Sequence, residues 1–560
     1  MAGKRLGYRD AAAWMAQIIG PDSRYITIGL VYTLAISLLS LATPISVQVL
    51  INSVARTALP APLWTLSGVL LLLLLIVALL SALRFYIMFL FERRFFARVV
   101  AQITLKAVHA QNPFFNDENR SSLFNRYFDL TVVQKAVPSL VIGAFTIILQ
   151  AVVGLAVTSF YHPFFLAFNV ILVLVCALIW LIWRRGAITQ SVALSEAKHE
   201  TAHWLESVGA SNGFYKSSRH LGFAMDRSET VTANYVETHK RYFRHIFAQT
   251  LAFFLVYAFA SAALLALGGS LILSGELTIG QLVAAELILS GVFYGIFQLG
   301  WYLDTFYELA ASSDELVLLF SIPQEDSDAS GAAPRDGAIQ MRNVSVDGGH
   351  FDFSVGSGEQ LVTVMEPGVD RMLALVLKRH SMPDRGIVSI GGSDLGSFDM
   401  YLLRSAIMVL DRPTIVEVTV REYLTLAAPA RSGEDMMDAL EQVGLSQRMA
   451  MLPDGLDTSL AASGWPLSIA EVMALKLANA LLSRPKVLVL SQLFDMMAID
   501  RLKSALDDLR TAGTTILLNT GRPEALELDG YLWLGRTEQK RFETRQGMID
   551  HVDGKVLPHA

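Results

Sequence analysis

The residues with the clearest chemical syntax are Gln360 to Leu373, QLVTVMEPGVDRML. They follow a strand-like run and a turn at Gly358 and Glu359, where a nucleotide-binding fold places its phosphate loop. Such a loop reads G-x-x-x-x-G-K-[ST]. Its glycines let backbone N–H groups wrap the phosphates, its lysine reaches the outer phosphates and its hydroxyl holds magnesium. Counted from Gly358 and Glu359, the slots hold Met365, Gly368, Asp370, Arg371 and Met372. Only the middle glycine is of the expected type. Arg371 takes the lysine slot, Met372 puts a thioether in the hydroxyl slot, and Asp370 brings negative charge to where phosphate would sit. The loop keeps its place and loses its chemistry.

A second pattern has the spacing of a metal site. His199, Glu200 and His203 fit H-E-x-x-H, in which two imidazoles one helical turn apart bind zinc beside a glutamate base. A catalytic zinc takes three protein ligands, and no third is evident. The segment also reads as the cytosolic extension of a membrane span, with no enclosed pocket implied. We therefore expect no metal there. Cys176 is the one cysteine and lies in an apolar run, so no disulfide can form within the chain.

These residues sit in a chain of 560 that is 53% hydrophobic, with a formal net charge of −6. The mildly negative balance gives no footing for nucleic-acid binding. The apolar excess lies almost entirely before residue 320 and marks a membrane protein. No cleavable signal peptide is apparent. Residues 1–25, with Lys4, Arg5 and Arg9, read as a cytosolic segment: an amphipathic helix on the membrane face or a flexible tail.

A spanning helix needs about 20 apolar residues. Six stretches qualify, at about 26–51, 63–83, 137–160, 164–183, 247–273 and 279–302. Connections after the first, third and fifth are short, and those after the second and fourth are long and helix-like. The long ones hold the positive charge, including Arg93, Arg94, Arg98, Arg126, Arg184, Arg185, Lys240 and Arg244; the short ones offer only Arg56. The positive-inside rule then places the long connections, both termini and the soluble domain in the cytosol, with the spans in a bacterial inner membrane. Each long connection reads as a helical hairpin, turning at Asn112-Pro113 and at Gly209 to Gly213. Arg84, at the inner end of the second span, is expected to snorkel to the interface. Glu286 is deeper in the sixth span, either on a substrate path or in a hydrogen-bonded helix–helix contact.

Residues 321–336 read as a linker, 337–553 as an α/β domain and 554–560 as a tail, after a membrane domain at 26–320. Here the landmarks accumulate. Pro383 to Gly386 forms a P-x-x-G turn, and Leu403-Arg404 a Leu-Arg pair. LPDGLDTSL (Leu452–Leu460) leads toward a helix at Leu467, and ALLSRPKVLVL (Ala480–Leu490) runs from helix end into strand. In their order the chain resembles an ATP-binding-cassette (ABC) half-exporter over nearly its whole length. GELTIGQLVAAELI (Gly275–Ile288) and LATPISVQVLI (Leu41–Ile51) look most like the transporters of type I protein secretion. The resemblance implies a multi-domain membrane protein: a six-helix, all-α transmembrane domain of ABC exporter type, then an α/β, P-loop-type nucleotide-binding domain.

The resemblance also says where ATP chemistry should reside. The signature L-S-G-G-Q, which grips the γ-phosphate held by a partner cassette, corresponds to Leu467, Ser468, Ile469, Ala470 and Glu471. Side chains replace both glycines and a carboxylate replaces the glutamine. The Walker B pair Asp-Glu, for magnesium and the attacking water, corresponds to Ser491 and Gln492. The Q-loop glutamine corresponds to Asp411, and the switch histidine to Gly521. The adenine-stacking aromatic is missing from Val346 to His350. We expect no catalytic residue, no tightly held cofactor at this P-loop, and ATP and magnesium only by way of a partner cassette. In the family two cassettes face each other head to tail, so the expected state is a dimer in membrane lipid. Its other half would be a competent ABC half-transporter, with adaptor proteins of a secretion complex as further partners. A non-transporting membrane scaffold and a weak ATPase with an atypical site are the alternatives.

Overall fold

The computed structural model describes residues 16, 19–57, 61–111, 121–325 and 331–556. The expected amphipathic segment at 1–15, the Asn112-Pro113 turn and the chain beyond 556 lie outside them. Two compact units emerge, Met1–Glu325 and Asp326–Ala560.

The long helices of the first unit are α1 (Ser23–Leu39), α2 (Ala42–Thr57), α3 (Ala61–Val108), α4 (Tyr127–Ser139), α5 (Phe145–Ser159), α6 (Pro163–Ala210), α7 (Ser218–Leu273) and α8 (Ile279–Phe320). They supply six stretches long and apolar enough to cross a membrane, matching the six expected. Local chemistry sets their starts. Pro163, with no N–H to satisfy, opens α6 behind a His162 cap. Thr278 and Gln281 form a reciprocal capping box ahead of α8. The 48 residues of α6 and 56 of α7 far exceed the ~20 a bilayer needs, so this hairpin runs on beyond it.

Three details depart from expectation. The first span is broken into α1 and α2 at Ser40 and Leu41, because Pro44 cannot donate into the preceding turn. The start of the expected linker is tied down, with Gln111 N–H donating to Pro323 O at 2.8 Å and Glu325 N–H to His109 O at 2.8 Å. Arg84 does not snorkel. It is 8% exposed and donates to Thr146 Oγ1 at 2.8 Å and Thr33 Oγ1 at 3.2 Å. Hydroxyls on α1 and α5 stand within its reach and replace the water it would otherwise seek.

Charge is also buried where α4, α6 and α8 meet. Asp129 is fully buried and accepts from Lys198 Nζ at 2.9 Å, from His199 Nε2 and from Ser312 Oγ at 3.2 Å. Arg126 pairs with buried Glu315 at 2.6 Å. These carboxylates are compensated on several sides, as buried charge must be.

The second unit has two sheets. The order β2-β1-β4-β5 joins β1 (Ile339–Val346), β2 (Gly349–Val355), β4 (Arg385–Ile390) and β5 (Ser393–Asp394), all antiparallel. The larger sheet, β10-β9-β3-β8-β7-β6, uses β3 (Gln360–Met365), β6 (Ile407–Leu410), β7 (Val487–Leu490), β8 (Thr515–Asn519), β9 (Gly530–Leu534) and β10 (Gln539–Phe542). Its first five in sequence run parallel, and β10 closes the edge antiparallel. The parallel strands are almost wholly buried, as a sheet covered by helices on both faces requires. The covering helices are α9 (Val369–Leu377), α10 (Met400–Ala406), α11 (Val420–Ala427), α12 (Gly433–Gln442), α13 (Ser446–Met451), α14 (Ile469–Ser483), α15 (Ile499–Thr511) and α16 (Arg545–Val556).

Candidate functional site

In an open parallel sheet ligands bind beyond the carboxyl ends of the strands. The sequence stations fall there, after β3, β6, β7 and β8, with the signature at the start of α14.

Beyond β3 the loop is short. Only Glu366, Pro367 and Gly368 separate the strand from α9. Gly368 has φ +89°, a left-handed turn that glycine adopts at little cost. The loop's groups are met by its own chain. Glu366 N–H donates to Leu534 O at 2.9 Å, and the Glu366 carboxylate accepts Arg536 N–H at 2.7 Å. The Arg536 guanidinium donates to Pro367 O at 3.4 Å and stands against Gly368, 3.3 Å from where a Cβ would be. Met365 is buried in the strand. Asp370 and exposed Arg371 lie in the first turn of α9, and Met372 packs into the core beside Phe351. A thioether therefore fills apolar space at the expected hydroxyl slot.

Beyond β6, Asp411 lies 3.6 Å from the Arg412 guanidinium and faces Lys378 and Lys476. Lys476 Nζ donates to Arg412 O at 2.6 Å. Burial pushes both ammonium groups below the usual lysine range, and the Asp411 charge opposes that push. Asp411 thus acts as counter-ion to two inward lysines. Asp411→Asn is expected to destabilise by about 2 kcal/mol, below the ~3–5 kcal/mol of a fully enclosed pair because Asp411 is 25% exposed. The lysines would then sit lower still. The unfolded chain would bind their protons more tightly than the folded one, so stability should climb more steeply in the variant as pH rises toward the ordinary 10.5. Denaturant midpoints at pH 7 and pH 9 would read both effects.

At the signature, Ser468 caps α14. Its hydroxyl accepts Glu471 N–H at 3.3 Å, and the Glu471 carboxylate accepts Ser468 N–H at 2.7 Å. Arg448 pairs with that carboxylate at 3.2 Å. The expected phosphate-facing carboxylate is therefore folded back on its own helix end, because a Ser-x-x-Glu spacing makes a capping box. Leu467 is buried, Ala470 half-buried and Ile469 exposed. Ser468→Ala is expected to cost about 1 kcal/mol, visible as a lower thermal midpoint.

Beyond β7, the Ser491 hydroxyl accepts Leu493 N–H at 3.4 Å and Gln492 points outward. Asp495, four residues on, reaches the switch position. Its carboxylate accepts Thr520 Oγ1 at 2.6 Å and Gly521 N–H at 2.9 Å. Glu366, Arg536 and Asp495 all escaped sequence reading. Glu366 was visible within the loop, but no local pattern links it to a partner 170 residues away.

Two other candidates resolve simply. His199 points into the Asp129 cluster, Glu200 accepts Asn234 Nδ2 at 3.1 Å and His203 is exposed, so the two imidazoles do not converge. Glu286 is exposed and its one described contact is from Ser290 Oγ on its own helix, at 3.2 Å, which removes the helix–helix alternative.

Comparison with known proteins agrees with this architecture. The family described as ABC transporter transmembrane region matches residues 26–205. An uncharacterized ABC transporter ATP-binding protein, YknU of Bacillus subtilis, is 25% identical over 272 residues, 46% of this chain and 46% of that protein. The α-hemolysin translocation ATP-binding protein HlyB of Escherichia coli O157:H7 is 27% identical over 237 residues, 40% of this chain and 34% of HlyB. These matches span between a third and a half of the curated relatives' length. The solved structure of a bacterial Atm1-family ABC exporter with ATP bound superposes with a TM-score of 0.77 at 16% identity, covering 96% of this chain and 98% of that one. The chain is thus a multi-pass membrane protein of the ABC exporters, with a half-exporter's plan of one six-helix membrane domain followed by one nucleotide-binding domain.

Proposed function

We propose that the chain is the non-catalytic subunit of an exporter assembly, paired in the membrane with a half-transporter whose own cassette hydrolyses ATP. The observation that carries this reading is the loop Glu366 to Gly368, three residues long and occupied by Glu366 and Arg536 of the same chain. Magnesium nucleotide does not fit these residues. The amide cradle is closed, the hydroxyl slot is a packed thioether, and the signature helix end is capped by Ser468 and Glu471. No step of hydrolysis is assigned to this chain.

The wider setting follows the same reading. Basic residues on the long connections put them, both termini and the cassette on the cytosolic side of a bacterial inner membrane. Similarity to HlyB, named for α-hemolysin translocation, supports a role like that of a type I secretion subunit. Glu286, exposed on α8 within a span, belongs to the substrate path. To test the proposal, the tagged chain is solubilised from its native membrane and its partner identified. A mixed complex with an intact ABC half-transporter should hydrolyse ATP and lose that activity when the partner's P-loop lysine is replaced. Recovery of self-dimers alone would sink the proposal, as would turnover that survives loss of the partner's lysine.

A further inference from the structure

Exposed side chains of α8 line up along one face. Glu286, Ser290, Tyr294, Phe297 and Trp301 recur at intervals of four, four, three and four, which keeps them on one helical stripe. Tyr294 is 59% exposed and Trp301 73%. Phe254 of α7 stacks on Phe297 with ring centres 4.3 Å apart, and Tyr257 meets the same ring edge-on at 5.6 Å. Next to them opens a cleft of about 490 Å³ between α7 and α8, lined by Phe254, Phe297, Gln298, Trp301, Tyr302 and Asp304 among others. No lysine or arginine lines it. One Asp304 oxygen accepts the Tyr242 hydroxyl.

This surface carries a carboxylate at each end and π-faces between. Glu286 stands about eight residues into the span. A carboxylate held there against hydrocarbon is costly and marks a path for something other than lipid. Open aromatic faces attract cations, most strongly where water is excluded. An anion would meet two carboxylates and no compensating base. A purely apolar occupant would leave Glu286 desolvated and unmatched.

We propose that this stripe and cleft bind a lipophilic organic cation, with the charge shared among Glu286, Asp304 and the rings and the apolar body against Phe254, Phe297 and Trp301. The proposal rests on the reading of Glu286 as part of the substrate path.

The test uses the full chain in lipid nanodiscs and two probes of nearly one shape and opposite charge, tetraphenylphosphonium and tetraphenylborate. Equilibrium binding is measured above that of empty discs. The phosphonium should bind saturably and the borate should not. Glu286→Gln and Trp301→Ala should each weaken phosphonium binding about tenfold, the scale of one desolvated charge or cation–π contact. Both sites are exposed, and an unchanged thermal midpoint would show that each variant folds. Equal binding of the two probes would overturn the assignment, as would indifference to both substitutions. A second copy seated on the stripe would exclude the phosphonium and overturn it too; Tyr294→Cys would then cross-link copy to copy. Binding here needs no ATPase partner, so its failure leaves the subunit reading intact, and failure of the partner experiment leaves the cation site intact.

Discussion

Purified alone in lipid nanodiscs, the chain is expected to turn over no ATP above the level of empty discs. Repairing the recognisable slots should not change that. A variant carrying Asp370→Gly, Arg371→Lys, Met372→Ser, Ser491→Asp and Gln492→Glu should stay inactive. Phosphoryl transfer is catalysed by positioned donors and charge, and one missing donor typically costs about 10²–10³-fold. The repaired side chains would still flank a three-residue loop whose carboxylate and carbonyl are engaged by Arg536. Lengthening a lysine slot does not create the amide cradle that must surround it. The signature would also remain capped by Glu471, so a second copy could not complete the site. Turnover by the unmodified chain that disappears in Arg371→Ala would refute this account.

The second large effect is expected at Asp129. Asp129→Ala should destabilise the membrane unit by about 3 kcal/mol, the lower end for breaking a buried pair. Its partner His199 is 8% exposed, whereas Lys198 is 47% exposed and can turn to water, which discounts the loss. Asp129→Asn keeps an acceptor for one partner and should cost clearly less. Denaturation midpoints in detergent would rank the three forms. Equal midpoints for wild type and Asp129→Ala would show that the cluster contributes nothing to stability. The experiment also bears on His199-Glu200-Thr201-Ala202-His203, since the imidazole that completes a zinc signature is here occupied by a carboxylate.

Much of the fold was legible because it is written in short-range patterns. Apolar runs long enough to span a bilayer mark six helices without reference to any neighbour. The positions of the P-loop, signature and Walker B stations follow from strand-to-helix transitions and turn glycines, again within a few residues. Even the Ser468–Glu471 box was present in the spacing, although the resemblance to a phosphate-gripping signature directed attention outward. What stayed hidden were pairings across long separations. Arg536 against Gly368, Asp495 against Gly521, Arg84 between Thr33 and Thr146, and Asp129 beneath His199 each join segments far apart in the chain.

The amino-acid sequence by itself therefore determined the helices, the order of the domains and the absence of the expected residue types from each ATP station, because hydrophobic length, periodicity and motif spacing are local. The tertiary structure alone decided what stands in their place. A guanidinium, a carboxylate or a hydroxyl becomes a partner only when folding brings it within hydrogen-bond reach, and composition cannot report that distance.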